Sequence, residues 1–136
     1  MVDQYQIKLA SRQRGFHLIT EEVLRQIGRL PKAGILNIFI KHTSAAITIN
    51  ENADPSVRVD FERYYNEIVD ENLPGLTHTI EGPDDMPAHI KAALTGSDIN
   101  IPITNGQLNL GTWQGIYLCE FRNYGGARTI IVSVYH

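Results

Sequence analysis

The chain has 136 residues, which is enough for one domain with a sizeable core, and we expect a single domain over residues 1–136. Its 43% hydrophobic and 20% charged residues are typical of a globular protein. The formal net charge of -3 argues against nucleic acid or an anionic membrane surface as a partner.

Membrane and secretory signals are also missing from the sequence. No apolar run approaches the roughly 20 residues of a membrane span, and the N-terminus has no basic segment followed by an apolar one. The single cysteine excludes an internal disulfide and suits a reducing compartment. We therefore expect a cytoplasmic protein.

Strands and one helix are predicted in the first third of the chain. Strand patterns of alternating or branched apolar residues lie at 5–10, 15–19, 34–40 and 45–50. Thr20 is expected to cap a short amphipathic helix, because two glutamates follow it and the helical spacing of apolar residues continues to about residue 30.

The rest of the chain predicts two helices followed by strands. Asp54 and Asp85 are each followed closely by proline, so we expect both to cap helices, over 57–70 and 88–94. Strand patterns lie at 98–103, 107–110, 112–121 and 128–135, with a hairpin signal at Asn105–Gly106. Strands that flank three helices without strict alternation favour an α+β fold.

The strand at 112–121 carries the most informative pattern. Alternation divides its side chains into two faces. The apolar face, expected to pack inward, carries Trp113, Tyr117, Cys119 and Phe121. The other face carries Gln114, Glu120 and Arg122 among aliphatic residues. These polar groups indicate either a local surface ion pair or a functional face, and the strand alone does not decide. We expect Cys119 to be a buried apolar residue rather than a nucleophile.

Three of the five histidines lie at ends of predicted elements, namely His42, His78 and His89. Neutral imidazoles are the commonest zinc ligands, and three of them with one open position form a catalytic pattern. Their spacing matches no compact metal motif, so three separate, hydrogen-bonded histidines remain an alternative.

Acidic residues accompany these histidines. Glu51 follows an apolar strand directly and could act as a general base or as a partner of a histidine. The helix starts after Asp54 and Asp85 offer positive dipole ends that favour a phosphate group. No P-loop or G-x-G-x-x-G accompanies them, so an ordinary nucleotide site is not indicated.

Three long motifs at 42–54, 81–90 and 111–122 together carry a resemblance that covers essentially the whole chain. They read HTSAAITINENAD, EGPDDMPAHI and GTWQGIYLCEFR. With them the chain resembles the YjbQ-like family, often described as secondary thiamine-phosphate synthase enzymes. Two departures are Phe121, where the family frequently has histidine, and Thr77, near which an aromatic residue often stands.

The resemblance implies a single α+β domain with a mixed sheet curled into a half-barrel, about three helices, and assembly as a homotrimer. It also implies a weak ability to form thiamine phosphate from a pyrimidine diphosphate and a thiazole phosphate. A phosphorylated small molecule is therefore the expected substrate, and a divalent metal, zinc or magnesium, the expected cofactor.

The candidate site residues follow from this resemblance and from the patterns above. The expected metal ligands are His42, His78 and His89. The expected catalytic residues are Glu51, Glu120 and Arg122, and the expected cofactor-binding residues are Asp54, Asp85 and Gln114. Two other functions stay open, a non-catalytic trimeric module that binds a metal or ligand and a metal-assisted phosphoester hydrolase.

Overall fold

Eight strands and three helices make up the structure, a computed structural model that describes all 136 residues. The strands are β1 (Val2–Leu9), β2 (Gly15–Leu18), β3 (Ala33–Ile40), β4 (Ala45–Glu51), β5 (Asp98–Thr104), β6 (Gln107–Leu108), β7 (Gln114–Glu120) and β8 (Arg128–Tyr135). The helices are α1 (Thr20–Ile27), α2 (Pro55–Ile68) and α3 (Asp85–Thr95). None of the three helices combines the length and the apolar character that crossing a bilayer requires.

The strands form two antiparallel sheets. One has five strands in the order β1-β8-β3-β5-β6, and the other has three in the order β2-β7-β4. The α+β class, the three helices and the curled half-barrel are confirmed, but the expected mixed sheet is wrong because every strand pair is antiparallel. Neighbouring parallel strands need a crossover connection, and no helix here serves as one.

Two apolar clusters hold these layers together. The larger has 17 buried residues and fills the space between the sheets and α1. The smaller has seven, including Phe16, Tyr117, Cys119 and Phe121, and lies where α2 and α3 cover the three-stranded sheet. Strand β7 is the centre of that sheet and lies between the two clusters, so both of its faces are buried.

This burial changes the expected division of β7. Tyr117, Cys119 and Phe121 pack inward as predicted, but Trp113 precedes the strand and is 63% exposed. On the other face Glu120 is completely buried rather than directed to solvent. The prediction assumed that one face of β7 is exposed to solvent, whereas the larger apolar cluster covers the face that carries Glu120.

The predicted helix starts have mixed outcomes. Asp54 caps α2 as expected, since its Oδ1 accepts a hydrogen bond of 2.9 Å from the Ser56 amide. Thr20 is not a cap: α1 begins at Thr20 itself, and its hydroxyl accepts a hydrogen bond from the Ile116 amide of β7. Asp85 is not a cap either, because Asp84 holds that position and Asp85 is the first helical residue.

Candidate metal centre

Four polar side chains meet at the first turn of α3. Asp85 and His89 lie four residues apart on this helix and therefore share one face. His78 comes from the loop that joins α2 to α3, and Arg122 follows the end of β7. The antiparallel sheet and the long loop thus bring residues from three parts of the chain to the side chain of Asp85.

The two oxygens of Asp85 have different partners. Its Oδ2 lies 2.7 Å from Nε2 of His78 and 3.1 Å from Nε2 of His89. Its Oδ1 accepts a hydrogen bond of 2.5 Å from Nη1 of Arg122. His78, Asp85 and His89, here called the His–Asp–His group, can each offer one ligand atom within 4.8 Å of the others.

The tautomer of His89 is fixed by the backbone. Its Nδ1 lies 2.8 Å from the carbonyl oxygen of Thr43, which can only accept, so Nδ1 carries a proton. In the neutral ring Nε2 then has a lone pair and no hydrogen. That lone pair faces the Asp85 carboxylate, which is unfavourable unless the ring is protonated or a cation lies between them. A ring hydrogen bonded to a backbone carbonyl is also the usual arrangement of a metal-ligating histidine.

The group is buried at its carboxylate and open at its imidazoles. The side chain of Asp85 is 2% exposed, whereas those of His89 and His78 are 28% and 45% exposed. Burial on its own raises the pKa of Asp85, but the hydrogen bond from His78 and the charges of His89 and Arg122 outweigh it and lower the pKa. Asp85 is therefore ionised at neutral pH and a ligand can reach the two rings.

Arg122 holds the acidic part of the site together. Its Nε donates to Oδ2 of Asp84 at 3.0 Å, and its Nη2 donates to the carbonyl oxygen of Glu81 at 3.0 Å. With the bond to Asp85, three of its nitrogens are engaged within the chain. Arg122, an expected catalytic residue, therefore orients the carboxylates, and a direct contact of its guanidinium with substrate would compete with these bonds.

His42 does not join the His–Asp–His group within one chain. Its Nε2 accepts a hydrogen bond of 2.8 Å from the Thr129 amide at the start of β8. Burial lowers its pKa, and the nearby charge of Arg128 lowers it further, so the ring is neutral. Within one chain the structure therefore brings together two histidines and Asp85 rather than the three expected histidines. The i, i+4 spacing of Asp85 and His89 was the sequence signal that could have found this set.

Glu120 forms a buried ion pair and does not line the site. Its Oε1 and Oε2 accept hydrogen bonds of 2.8 and 2.5 Å from Nε and Nη2 of Arg128, and neither side chain is more than 5% exposed. Its Oε2 also accepts a hydrogen bond of 3.2 Å from the Arg122 amide. Glu120 thus fixes the backbone that carries Arg122, and its expected contact with substrate is not what the structure shows.

The remaining candidates lie at the other end of the three-stranded sheet. Strands β4 and β7 pair Ala45 with Glu120 and Glu51 with Gln114, a separation of six residues or about 20 Å along the strands. Gln114 accepts a hydrogen bond from the Gly111 amide, and Asp54 caps α2. Within one chain these three residues are not brought to the His–Asp–His group.

Cys119 lies in the smaller apolar cluster and has no exposed surface. Burial strongly raises the pKa of its thiol, so the thiolate does not form at neutral pH. The prediction that Cys119 is a buried apolar residue is confirmed.

The fold and the site define a small antiparallel α+β protein with a His–Asp–His group at a helix start. The profile of the family described as "UPF0047 protein YjbQ-like" matches residues 5–136. The chain belongs to this YjbQ-like family, as the three motifs indicated.

Two bacterial relatives are similar over most of their length. The UPF0047 protein YjbQ of Salmonella typhimurium is 46% identical over 133 residues, which are 96% of each chain. The UPF0047 protein YugU of Bacillus subtilis is 38% identical over 130 residues, which are 89% of each chain.

Solved structures share the fold. A YbjQ-like protein of Sulfolobus solfataricus superimposes with a TM-score of 0.85 at 27% identity, over 98% of this chain and 96% of that one. A protein of the yjbq/upf0047 family from Clostridium acetobutylicum has a TM-score of 0.81 at 36% identity, over 96% and 98%.

Proposed function

We propose that this protein is a metal-dependent enzyme that acts on a phosphorylated small molecule at the His–Asp–His group. The observation that carries the proposal is the convergence of the Nε2 atoms of His78 and His89 on Oδ2 of the ionised Asp85 carboxylate, at 2.7 and 3.1 Å. When His89 is neutral, its Nε2 lone pair and the Asp85 carboxylate can bind one cation together, and the Thr43 carbonyl holds the ring in this orientation.

The donor set fits zinc better than magnesium. Two imidazole nitrogens and one carboxylate oxygen are typical of catalytic zinc sites, whereas magnesium prefers oxygen ligands and water. Donor atoms on one tetrahedral zinc, with bonds of about 2.1 Å, lie ~3.4 Å apart. The separations of 2.7 and 3.1 Å between Asp85 and the two rings are hydrogen-bond distances, which would widen by about 0.7 and 0.3 Å around such a metal.

The charges of the side chains at this site explain why a cation would have to bind before a phosphate group. Arg122 is the only arginine or lysine bonded to Asp84 and Asp85 at the start of α3, so these three side chains are net negative while the imidazoles are neutral. The carboxylates at this helix start also neutralise the positive end of the helix dipole, which would otherwise attract an anion. A divalent cation would reverse the sign of the site and allow a phosphorylated substrate to bind.

Thiamine phosphate formation is the reaction that we propose from the family resemblance. The bond between the methylene carbon on the pyrimidine and the diphosphate oxygen breaks, its electron pair leaves with diphosphate, and the thiazole nitrogen bonds to that carbon. A bound metal would supply stabilisation of the leaving negative charge. Asp85, His78 and His89 would hold the metal, while Arg122 and the Thr43 carbonyl keep these ligands oriented.

Metal-assisted hydrolysis of a phosphoester is the second candidate. Only three side chains of this chain converge, which leaves a further coordination position for water, and His78 is open to solvent. The two reactions are separated by assaying pyrimidine diphosphate plus thiazole phosphate against a panel of phosphoesters. Metal binding without turnover in either assay would favour a non-catalytic binding module.

We also propose that the chain assembles as a homotrimer through the five-stranded sheet. The helices pack mainly against β1, β2, β4 and β7, and the outer face of β3 carries Ile35 and Phe39, which are 48% and 44% exposed. An apolar row crosses four strands, because Ile35 lies in register with Pro102 and Tyr135, and Tyr135 lies in register with Val2. A second copy would shield this row from water.

Metal analysis of protein purified without a histidine tag tests the cation site. We expect stoichiometric zinc, and Asp85→Asn should weaken zinc binding at least about tenfold because the amide carries no charge. Asp60→Asn, at an exposed position of α2, is the matched control and should bind zinc as the unmodified protein does. Absence of metal together with full activity after chelation would contradict the proposal.

A further inference from the structure

A groove of about 480 Å³, within the usual size of small-molecule sites, runs between α1 and the hairpin of β5 and β6. On the helix side it is lined by Thr20, Leu24 and Gly28, which are spaced four residues apart and therefore share one face. On the hairpin side it is lined by Leu108 and Leu110. Leucine side chains therefore form much of both walls.

The groove continues into a second, basic part of about 510 Å³. Arg29, Leu30 and Gly106 line both parts, and Lys32 and Asn105 line only the second. No aspartate or glutamate lines either part. Neither Arg29 nor Lys32 forms an ion pair within the chain. Two cations without an internal counter-charge thus stand at one end of an apolar groove, on a chain whose net charge is -3.

The end of α1 explains only part of this positive charge. Arg29 follows the last helical residue, Ile27, by two positions and can offset the negative end of the helix dipole, an effect that fades beyond the last turn. Lys32 lies five positions beyond Ile27 and is outside that range. The amide of Gly106 donates a hydrogen bond of 3.1 Å to the carbonyl oxygen of Lys32, which fastens the hairpin turn beside this cation. The backbone thus holds the apolar wall and the basic end next to each other.

We propose that this groove, here called the α1 groove, binds a small amphipathic anion, a molecule with one acidic head and an aliphatic tail. The head would lie between Arg29 and Lys32, where it supplies the missing counter-charge. The tail would cover four half-buried leucines, namely Leu24, Leu30, Leu108 and Leu110.

The lining of the α1 groove selects this class of ligand over simpler ones. An inorganic anion would leave the leucines in contact with water, and a neutral apolar molecule would leave both cations unpaired. The inference does not depend on the proposed function, because the α1 groove contains no residue of the His–Asp–His group.

Nuclear magnetic resonance of the intact protein, titrated with octanoate below the concentration at which it forms micelles, tests the α1 groove. Gly28 and Gly106 line the groove, so their amide signals should shift together and saturate with a dissociation constant of about a millimolar. Gly75 and Gly82 line a different cavity, beside the first turn of α3, and should not shift. Acetate, which has the head without the tail, should bind at least about tenfold more weakly. Octanol, which has the tail without the acid, should bind at least about threefold more weakly.

Removing the two cations should weaken octanoate and spare octanol. We expect Arg29→Gln combined with Lys32→Gln to raise the dissociation constant of octanoate at least about threefold and to leave that of octanol unchanged. Lys41→Gln combined with Arg63→Gln, at exposed positions outside the groove, is the matched control and should bind octanoate as the unmodified protein does.

An added carboxylate gives a second test that keeps both cations in place. Gln107→Glu, at an exposed position that lines the groove, should weaken octanoate at least about threefold through repulsion of like charges. Gln26→Glu, at an exposed position of α1 outside the groove, should have no such effect. The proposal is overturned if Gly28 and Gly106 show no saturable shift, or if octanoate and octanol bind equally well.

Discussion

The ion pair between Glu120 and Arg128 is almost completely shielded from water. Two hydrogen bonds join the side chains, and a third runs from Nη2 of Arg128 to the Ser44 carbonyl at 3.3 Å. Gly125 closes over the pair, because a Cβ there would overlap both charged groups. A pair of this kind adds little net stability over apolar residues, but losing one partner leaves an uncompensated charge in the core.

Glu120→Gln should therefore destabilise the protein strongly. We expect the free energy of unfolding to fall by about 3–5 kcal/mol, because Arg128 stays charged and buried without its partner. Urea unfolding followed by circular dichroism measures this change.

The exposed pair of Arg63 and Glu67 on α2 supplies the control. These residues are four apart, and their closest atoms are 3.8 Å apart. Glu67→Gln should change the free energy of unfolding by less than about 0.5 kcal/mol, since water already screens this pair. Equal effects of the two substitutions would contradict the structural role of Glu120.

At the scale of elements, β3 and β8 pair across the middle of the five-stranded sheet. Gly34 stands near the start of β3, where the chain passes the Tyr135 carbonyl so closely that a Cβ would overlap its oxygen. The obstacle is backbone rather than a flexible side chain. Any other residue at this position must push the two strands apart.

Gly34→Ala should destabilise the fold by about 1–3 kcal/mol, because the strands must separate locally to admit the methyl group. Thermal unfolding measures the change. Ala33→Ser, at the exposed neighbouring position, is the control and should stay within about 0.5 kcal/mol of the unmodified protein. An unchanged unfolding midpoint for Gly34→Ala would show that β8 is not held as close to β3 as the structure has it.

At the scale of the whole molecule, we predict that the outer face of the five-stranded sheet forms the contact between copies of the chain. Phe39→Lys should reduce the proposed trimer to smaller species, because a charge would replace an apolar group at the shielded surface. Light scattering coupled to size-exclusion chromatography measures the mass. Tyr64→Lys, at an exposed position of α2, should leave the mass unchanged. A monomeric unmodified protein would contradict the trimer.

The sequence by itself determined the features of this protein that depend on residues close together in the chain. The helix of α2 with its Asp54 cap and the turn at Asn105–Gly106 follow from local backbone preferences and hydrogen bonds. The strands follow from alternation, and the family follows from three contiguous motifs. All of these are encoded within a few residues of where they occur.

Only the tertiary structure decided which candidate residues meet. Asp85 resembled a helix cap in sequence, but His78 and Arg122, seven and 37 residues away, reach its carboxylate. Glu120 was expected to be a catalytic residue facing the substrate, but β7 is covered on both faces and Glu120 pairs with Arg128. The physical reason is that burial and ion pairing depend on distances between segments far apart in the chain, which periodicity does not contain.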